Sequence, residues 1–141
     1  MNERRAFSVA IFALCKDRVL LIHHKRLGTW LPVGGELDSD ETPAEAAVRE
    51  LEEETGLRGT FVPIPGAVTG TPQGLLAYEE HHAGSKGLHM NFCFLMSVPS
   101  QDVVPNGEFT EHRWVGRYDT LEAPQNVVEL VGRIFAFEPV P

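Results

Sequence analysis

Apolar residues along this chain recur with two periods, and the change between them marks its organisation. Ala6 to Cys15 (AFSVAIFALC) is β-branched or aromatic almost throughout, which predicts a central strand covered on both faces. Lys16-Asp17-Arg18 interrupts as a tight turn, and Val19 to His24 predicts a second strand. A loop from Lys25 to Trp30 leads through Leu31-Pro32-Val33 into Gly34-Gly35. The period then becomes 3.6. Thr42 as N-cap, Pro43 in the first turn and Glu45 three residues after the cap form a start signal, and Gly56 is the stop, which predicts a helix over 43–55. On that helix Ala44, Ala47, Val48, Leu51 and Thr55 share one side. Glu50, Glu53 and Glu54 share another, with Ala46 leaving space above them, while Glu45 and Glu52 point to water.

After the helix, Leu57 to Ile64 alternates loosely and reads as a strand ended by Pro63 and Pro65. Leu75 to His82 and Leu88 to Val98 predict a hairpin around Ala83-Gly84-Ser85-Lys86-Gly87. A turn-rich connector runs to Gly107, and Glu111 to Val115 is a short strand. Pro124 opens a helix to about 136, with Val127, Val128, Leu130, Val131 and Ile134 as its apolar side. Strands around one helix, closed by a second, do not form a βαβ repeat; periodicity alone gives α/β or α+β. With no repeat or linker, residues 1–141 read as one domain.

Composition is that of an ordinary globular chain, 43% hydrophobic and 23% charged. Charge placement says more. Residues 35–57 hold nine acids and one base and so carry the whole net charge of −8, while the other 118 residues balance at eleven of each. No basic stripe is left for long nucleic acid. Like-charged neighbours on a helix face cost about 0.2–0.5 kcal/mol per pair, so the Glu50, Glu53, Glu54 face needs a cation. Arg49 offsets one charge, and the excess suits a hard dication, Mg2+ or Mn2+ in preference to zinc. The pairs His23-His24 and His81-His82 do not make a zinc site, because neighbours on a strand face opposite ways. Cys15 and Cys93 lie in apolar runs and read as buried reduced thiols. Two arginines precede the first apolar run, but Lys16, Asp17 and Arg18 replace any small-residue cleavage site, and no run reaches transmembrane length. A cytoplasmic protein with no membrane partner is expected.

Gly35, Glu41, Arg49, Glu50, Leu51, Glu53, Glu54, Gly56 and Leu57 stand at fixed spacings. Together they fill every fixed position of the signature that this segment resembles, the Nudix hydrolase box, Gly-x5-Glu-x7-Arg-Glu-U-x-Glu-Glu-x-Gly-U with U apolar. Val33 stands between Pro32 and Gly34 where many members have proline followed directly by two glycines. The resemblance implies an α/β/α sandwich, with a mixed sheet between the box helix and the C-terminal helix. It also implies a Mg2+-dependent hydrolase (Mn2+ as alternative) that cleaves a pyrophosphate bond in a nucleoside diphosphate linked to another moiety. The partner is then a small nucleotide or related pyrophosphate, and a homodimer is compatible with it.

Carried over by position, Glu50, Glu53 and Glu54 are catalytic carboxylates and metal ligands, joined by the carbonyl of Gly34. Arg49 belongs to the catalytic group as the residue that holds them, with Glu41 as its partner; Gly35 and Gly56 are structural. Outside the box the sequence offers alternatives. A general base is sought among Glu79, Glu80, His81, His82, Glu108 and Glu111. Lys25 and Arg26 are placed to meet phosphates, and Trp30 either stacks a base or packs under the box helix. His89 and Asn91 share the strand face that lines a pocket, opposite Met90, Phe92 and Phe94. Nucleoside triphosphates, oxidised nucleotides, nucleotide sugars and dinucleoside polyphosphates all stay open as substrates. The competing reading is a Nudix-like binding or regulatory module, which would have shed box carboxylates that are all present here. An isomerase on the same fold would need a cysteine or histidine cluster, which is lacking.

Overall fold

The apolar run near the start of the chain becomes the middle of the sheet. In the computed structural model, which describes residues 2–137, β1 (Arg5–Cys15) pairs in parallel with β7 (Leu88–Ser97), from Arg5↔Leu88 to Leu14↔Ser97. The other edge of β1 is divided. Its last residues turn through Lys16 and Asp17, both left-handed at φ 53° and 61°, into β2 (Arg18–His24). That conformation matches the twist of a two-residue hairpin. Ser8 to Ile11 instead pair with β4 (Val33–Glu36). Beyond the split β2 takes up β3 (Trp30–Leu31), and it pairs along its length with β8 (Phe109–Val115). β7 also divides its outer edge, between β6 (Leu75–His82) and β5 (Thr60–Phe61). One mixed eight-stranded sheet results, opened beside β1.

A helix covers each face: α1 (Pro43–Thr55) and α2 (Gln125–Phe137). The period-two alternation of β1 sorts the two cores. Val9, Ile11 and Ala13 pack with Leu51, Phe94 and Met96 on the α1 side; Phe12 and Leu14 pack with Leu95, Val127, Val131 and Ile134 on the α2 side. This is the expected α/β/α sandwich. Cys15 and Cys93 are buried and free, one in each core. Among the described residues no helix is long and apolar enough to cross a membrane.

Both ends of α1 are fixed as its sequence dictates. Glu45 N–H donates to Thr42 Oγ1 (3.2 Å), Thr42 N–H donates to Glu45 Oε1 (2.9 Å), and Gly56 at φ 74° donates to the Glu52 carbonyl (2.8 Å). Two expectations need correction. Val48 is 41% exposed, whereas Ala46 and Glu54 are buried with Ala47, Leu51 and Thr55. The buried arc is turned toward the carboxylates because Glu54 finds a backbone donor on β4. The strand expected over Leu57–Ile64 shrinks to Thr60–Phe61. Gly59 lies so close to the core that a Cβ there would stand 2.9 Å from Leu51 Cδ2, and Pro63 has no N–H to continue the ladder.

Candidate active site

The site starts from Arg49, whose guanidinium ties the loop before α1 to the helix itself. Nε and Nη2 donate to the two oxygens of Glu41 (2.6 and 2.8 Å), and Nη2 also donates to the Glu36 carbonyl (3.2 Å). Nη1 donates to Glu50 Oε1 (2.9 Å) and Glu53 Oε2 (3.1 Å). Glu41 is itself held by the Asp38 N–H (2.8 Å). Each partner moves the other's titration: Arg49 holds the Glu41 carboxyl below its ordinary range, and Glu41 above all keeps Arg49 protonated. A bidentate arginine–carboxylate pair fixes orientation as well as charge.

Glu54 is 6% exposed, and its Oε2 accepts the Gly34 N–H (3.0 Å). Its carboxyl also meets that of Glu50, and burial pushes both above the ordinary glutamate range. Glu54 rises furthest: its burial is deeper, and the bond to Glu50 favours its protonated form. Burial and mutual contact thus both favour a protonated form of the pair when no cation is present. The double glycine makes this approach possible. A Cβ on Gly35 would stand 2.5 Å from Glu50 Oε1, and a Cβ on Gly34 would run into the Val9 carbonyl.

Among the described residues no three His, Cys, Asp or Glu side chains gather in a ready cation-holding arrangement. Arg49 Nη1 binds both Glu53, whose side chain is 55% exposed, and one oxygen of Glu50, and Gly34 meets the cluster through its N–H. The donor chemistry nevertheless fits a hard dication. Every available ligand is carboxylate oxygen, and the buried Glu50–Glu54 pair is short of positive charge.

The carboxylates open onto a cavity of about 810 Å3 beside the split in the sheet, lined also by Ile22 and His24 of β2 and Ser8 and Ala10 of β1. Arg26 and Lys86 lie at it, and burial with these two cations pushes His24 below the usual imidazole range. His89 lines the cavity too, with Nε2 3.2 Å from Glu36 Oε2. Arg4, which donates to both oxygens of Glu36 (2.8 and 2.6 Å), is the main reason that the Glu36 carboxyl falls to about 2. Asn91 shares the His89 face as expected.

Other candidates fall elsewhere. Trp30 is not among the lining residues; it packs on the α2-side core, edge-on to His23 with ring centroids 5.2 Å apart, and not under the box helix. Lys25 is engaged with the Gly107 carbonyl (2.7 Å). Glu79, Glu80, His81, His82 and Glu108 reach the cavity, whereas Glu111 does not. Sequence reading passed over Ser8 and Asn126, which also line it. The available signal was Ser8 as the one hydroxyl in an apolar strand run.

A family model described as the NUDIX domain matches residues 3–131. The RNA pyrophosphohydrolase of Xylella fastidiosa is 44% identical over a 130-residue alignment covering 82% of this chain and 66% of that protein. A putative 8-oxo-dGTP diphosphatase 3 of Mycobacterium tuberculosis is 30% identical over 112 residues, covering 74% of this chain and 48% of that one. The chain thus spans about half to two thirds of the length of these relatives. A NUDIX-family hydrolase from Clostridium perfringens has the same fold, with TM-score 0.84 at 24% identity over 96% of this chain and 99% of that structure.

Proposed function

This chain belongs to the Nudix hydrolase family, and from that premise we propose that it cleaves a pyrophosphate bond in a small nucleotide whose phosphates lie at α1. The observation that carries the reading is the buried Glu50–Glu54 pair, clamped by Arg49 through Glu50 and opening onto a cavity of nucleotide size. Glu50, Glu53 and Glu54 would hold Mg2+, with Mn2+ as alternative, and the ion would neutralise phosphate charge and acidify a bound water. The chain's own part is positional. Arg49 fixes the direction of Glu50, and the Gly34 N–H fixes that of Glu54. Arg26 and Lys86 supply positive charge where phosphates would enter. The relatives' printed names, an RNA pyrophosphohydrolase and a putative 8-oxo-dGTP diphosphatase, are of activities that break such a bond.

The test is a nucleotide library that includes a short RNA bearing a 5′-triphosphate, incubated with Mg2+ and followed by chromatography of the products. Release of phosphate, pyrophosphate or a nucleoside monophosphate from at least one member is expected, abolished by EDTA. Glu54→Gln should lower turnover by roughly a hundredfold or more, the scale of a lost metal or transition-state charge contact. Nucleotides that bind without ever being cleaved would make this a non-catalytic module.

A further inference from the structure

The turn between β2 and β3 is closed by a side chain as well as by backbone. His24 N–H donates to the Thr29 carbonyl (2.9 Å), and Gly28, at φ 65°, donates back to the His24 carbonyl (2.9 Å). These bonds fix the base of the turn and leave the Leu27 N–H, which donates to Nδ1 of His24 (3.2 Å). A ring nitrogen that accepts carries no hydrogen, so the imidazole is neutral with its proton on Nε2. Its surroundings hold it so: burial above all, then Arg26 and Lys86, push His24 below the usual imidazole range against the pull of Glu108. Strand alternation on β2 sends Ile22 and His24 to the cavity and His23 to Trp30. The two cations of the turn also part company. Lys25 Nζ is bound to the Gly107 carbonyl (2.7 Å), whereas Arg26 lines the cavity. Lys86 reaches the cavity from the loop between β6 and β7, and it acts with Arg26 on the His24 ring. Two loops far apart in sequence thus bring positive charge to one imidazole.

We infer that His24 is a positioning residue for phosphate binding: through the Leu27 N–H its ring sets the turn that presents Arg26, beside Lys86, to the substrate. The inference rests on the reading of this cavity as a pyrophosphate site. The Leu27 N–H belongs to the planar peptide unit that Arg26 itself opens, so fixing its direction fixes ψ of Arg26. An arginine side chain is long and loses much rotamer freedom when it is held. It therefore binds best from backbone that already has the right conformation. With the acceptor gone, the Leu27 N–H turns to water, and the peptide that carries Arg26 turns with it. Two other roles for the ring make different demands. A direct contact with the ligand would use Nε2–H, on the opposite side of the ring from the Leu27 bond. A brace for the fold would act on stability whether or not Arg26 is present. Two substitutions divide the ring between them. His24→Asn sets Oδ1 in the place of Nδ1, where it accepts the Leu27 N–H, and lacks the distal donor. His24→Gln sets an amide near the place of Nε2 and lacks the near acceptor.

The test needs no turnover: calorimetric titration, in Mg2+, with imidodiphosphate, a pyrophosphate analogue. Arg26→Ala should weaken binding roughly tenfold, the scale of one charge-assisted contact. His24→Gln should weaken it roughly threefold to tenfold, and His24→Asn should stay within about twofold of the wild type. In the Arg26→Ala background His24→Gln should add nothing, because the ring acts through that arginine. Melting temperatures taken beside each titration should stay close to that of the wild type. Additive losses in the double variant would make the ring a brace independent of Arg26 and overturn the inference. So would a His24→Gln chain that fails to fold. Binding lost in His24→Asn but kept in His24→Gln would also overturn it, because Nε2 would then meet the ligand itself. A wild-type chain that binds no imidodiphosphate and cleaves nothing in the library would refute the cavity reading beneath both proposals. Cleavage in the library with the variants ranked otherwise would refute the role of His24 alone.

Discussion

Glu54 shows what a single buried carboxyl costs when no cation is present. In the folded apo chain it keeps a proton at pH values where the unfolded chain has lost it, because burial and Glu50 raise its pKa. The folded state then binds more protons than the unfolded state, so stability falls as pH rises from the ordinary glutamate range through the raised folded value. In EDTA the melting temperature should decline as pH rises from the ordinary glutamate range toward about 9. Glu54→Gln keeps an acceptor for the Gly34 N–H and a donor for Glu50 but cannot ionise. It should flatten that decline and be more stable than wild type at the alkaline end, on the order of 1–2 kcal/mol. An unchanged slope would place the buried charge elsewhere. Glu36 has the opposite sign: its contribution is present above the ordinary glutamate range and is lost as pH falls through about 2. That pair is exposed on the Arg4 side, so the term is small.

At the scale of the element, the double glycine separates folding from function. Gly34→Ala drives a methyl group into the Val9 carbonyl, a backbone atom of the paired strand that cannot turn aside. It should cost about 1–3 kcal/mol or more in thermal or chemical denaturation. Gly35→Ala meets only the carboxylate end of Glu50, which can swing away. Stability should change by under about 1 kcal/mol, whereas turnover should drop tenfold or more through misplacement of Glu50. Equal stability losses in the two variants would contradict this division. The helix that follows was legible almost to the residue, because Thr42, Pro43, Glu45 and Gly56 act locally. Which side of it is buried was not, since Val48 and Glu54 exchange places according to a donor on β4 that helix periodicity does not contain. For the same reason three carboxylates on one face could be read, but not that Glu54 would be buried on the Gly34 N–H while one Arg49 nitrogen joins Glu50 and Glu53.

For the molecule as a whole, the two helices were legible from period and length, which survive without knowledge of partners. The sandwich followed from the resemblance to the Nudix family, periodicity alone leaving α/β or α+β open. Neither reached the split beside β1, where one strand edge serves both β2 and β4. That division comes from long-range pairing, and the cavity comes from the division. Ser8 and Asn126 stayed invisible as site residues because nothing local links positions so far apart to Glu79.

The partners that Arg49 gathers, from the Glu36 carbonyl to Glu53, all lie within residues 36–53. This stretch is consequently a heritable unit: recombination at its borders would carry the clamp whole into a new sequence. The polar side chains Ser8, Glu79, Asn91 and Asn126 that line the cavity have no such unity, since they come from four separate elements. Descent can therefore hold the reaction fixed while the choice of nucleotide drifts. A library randomised at positions 8, 79, 91 and 126 should yield members with altered nucleotide preference, scored by competitive cleavage of mixed nucleotides. One randomised at 41, 49, 50 and 54 should yield only losses, and altered preference arising there would refute this separation.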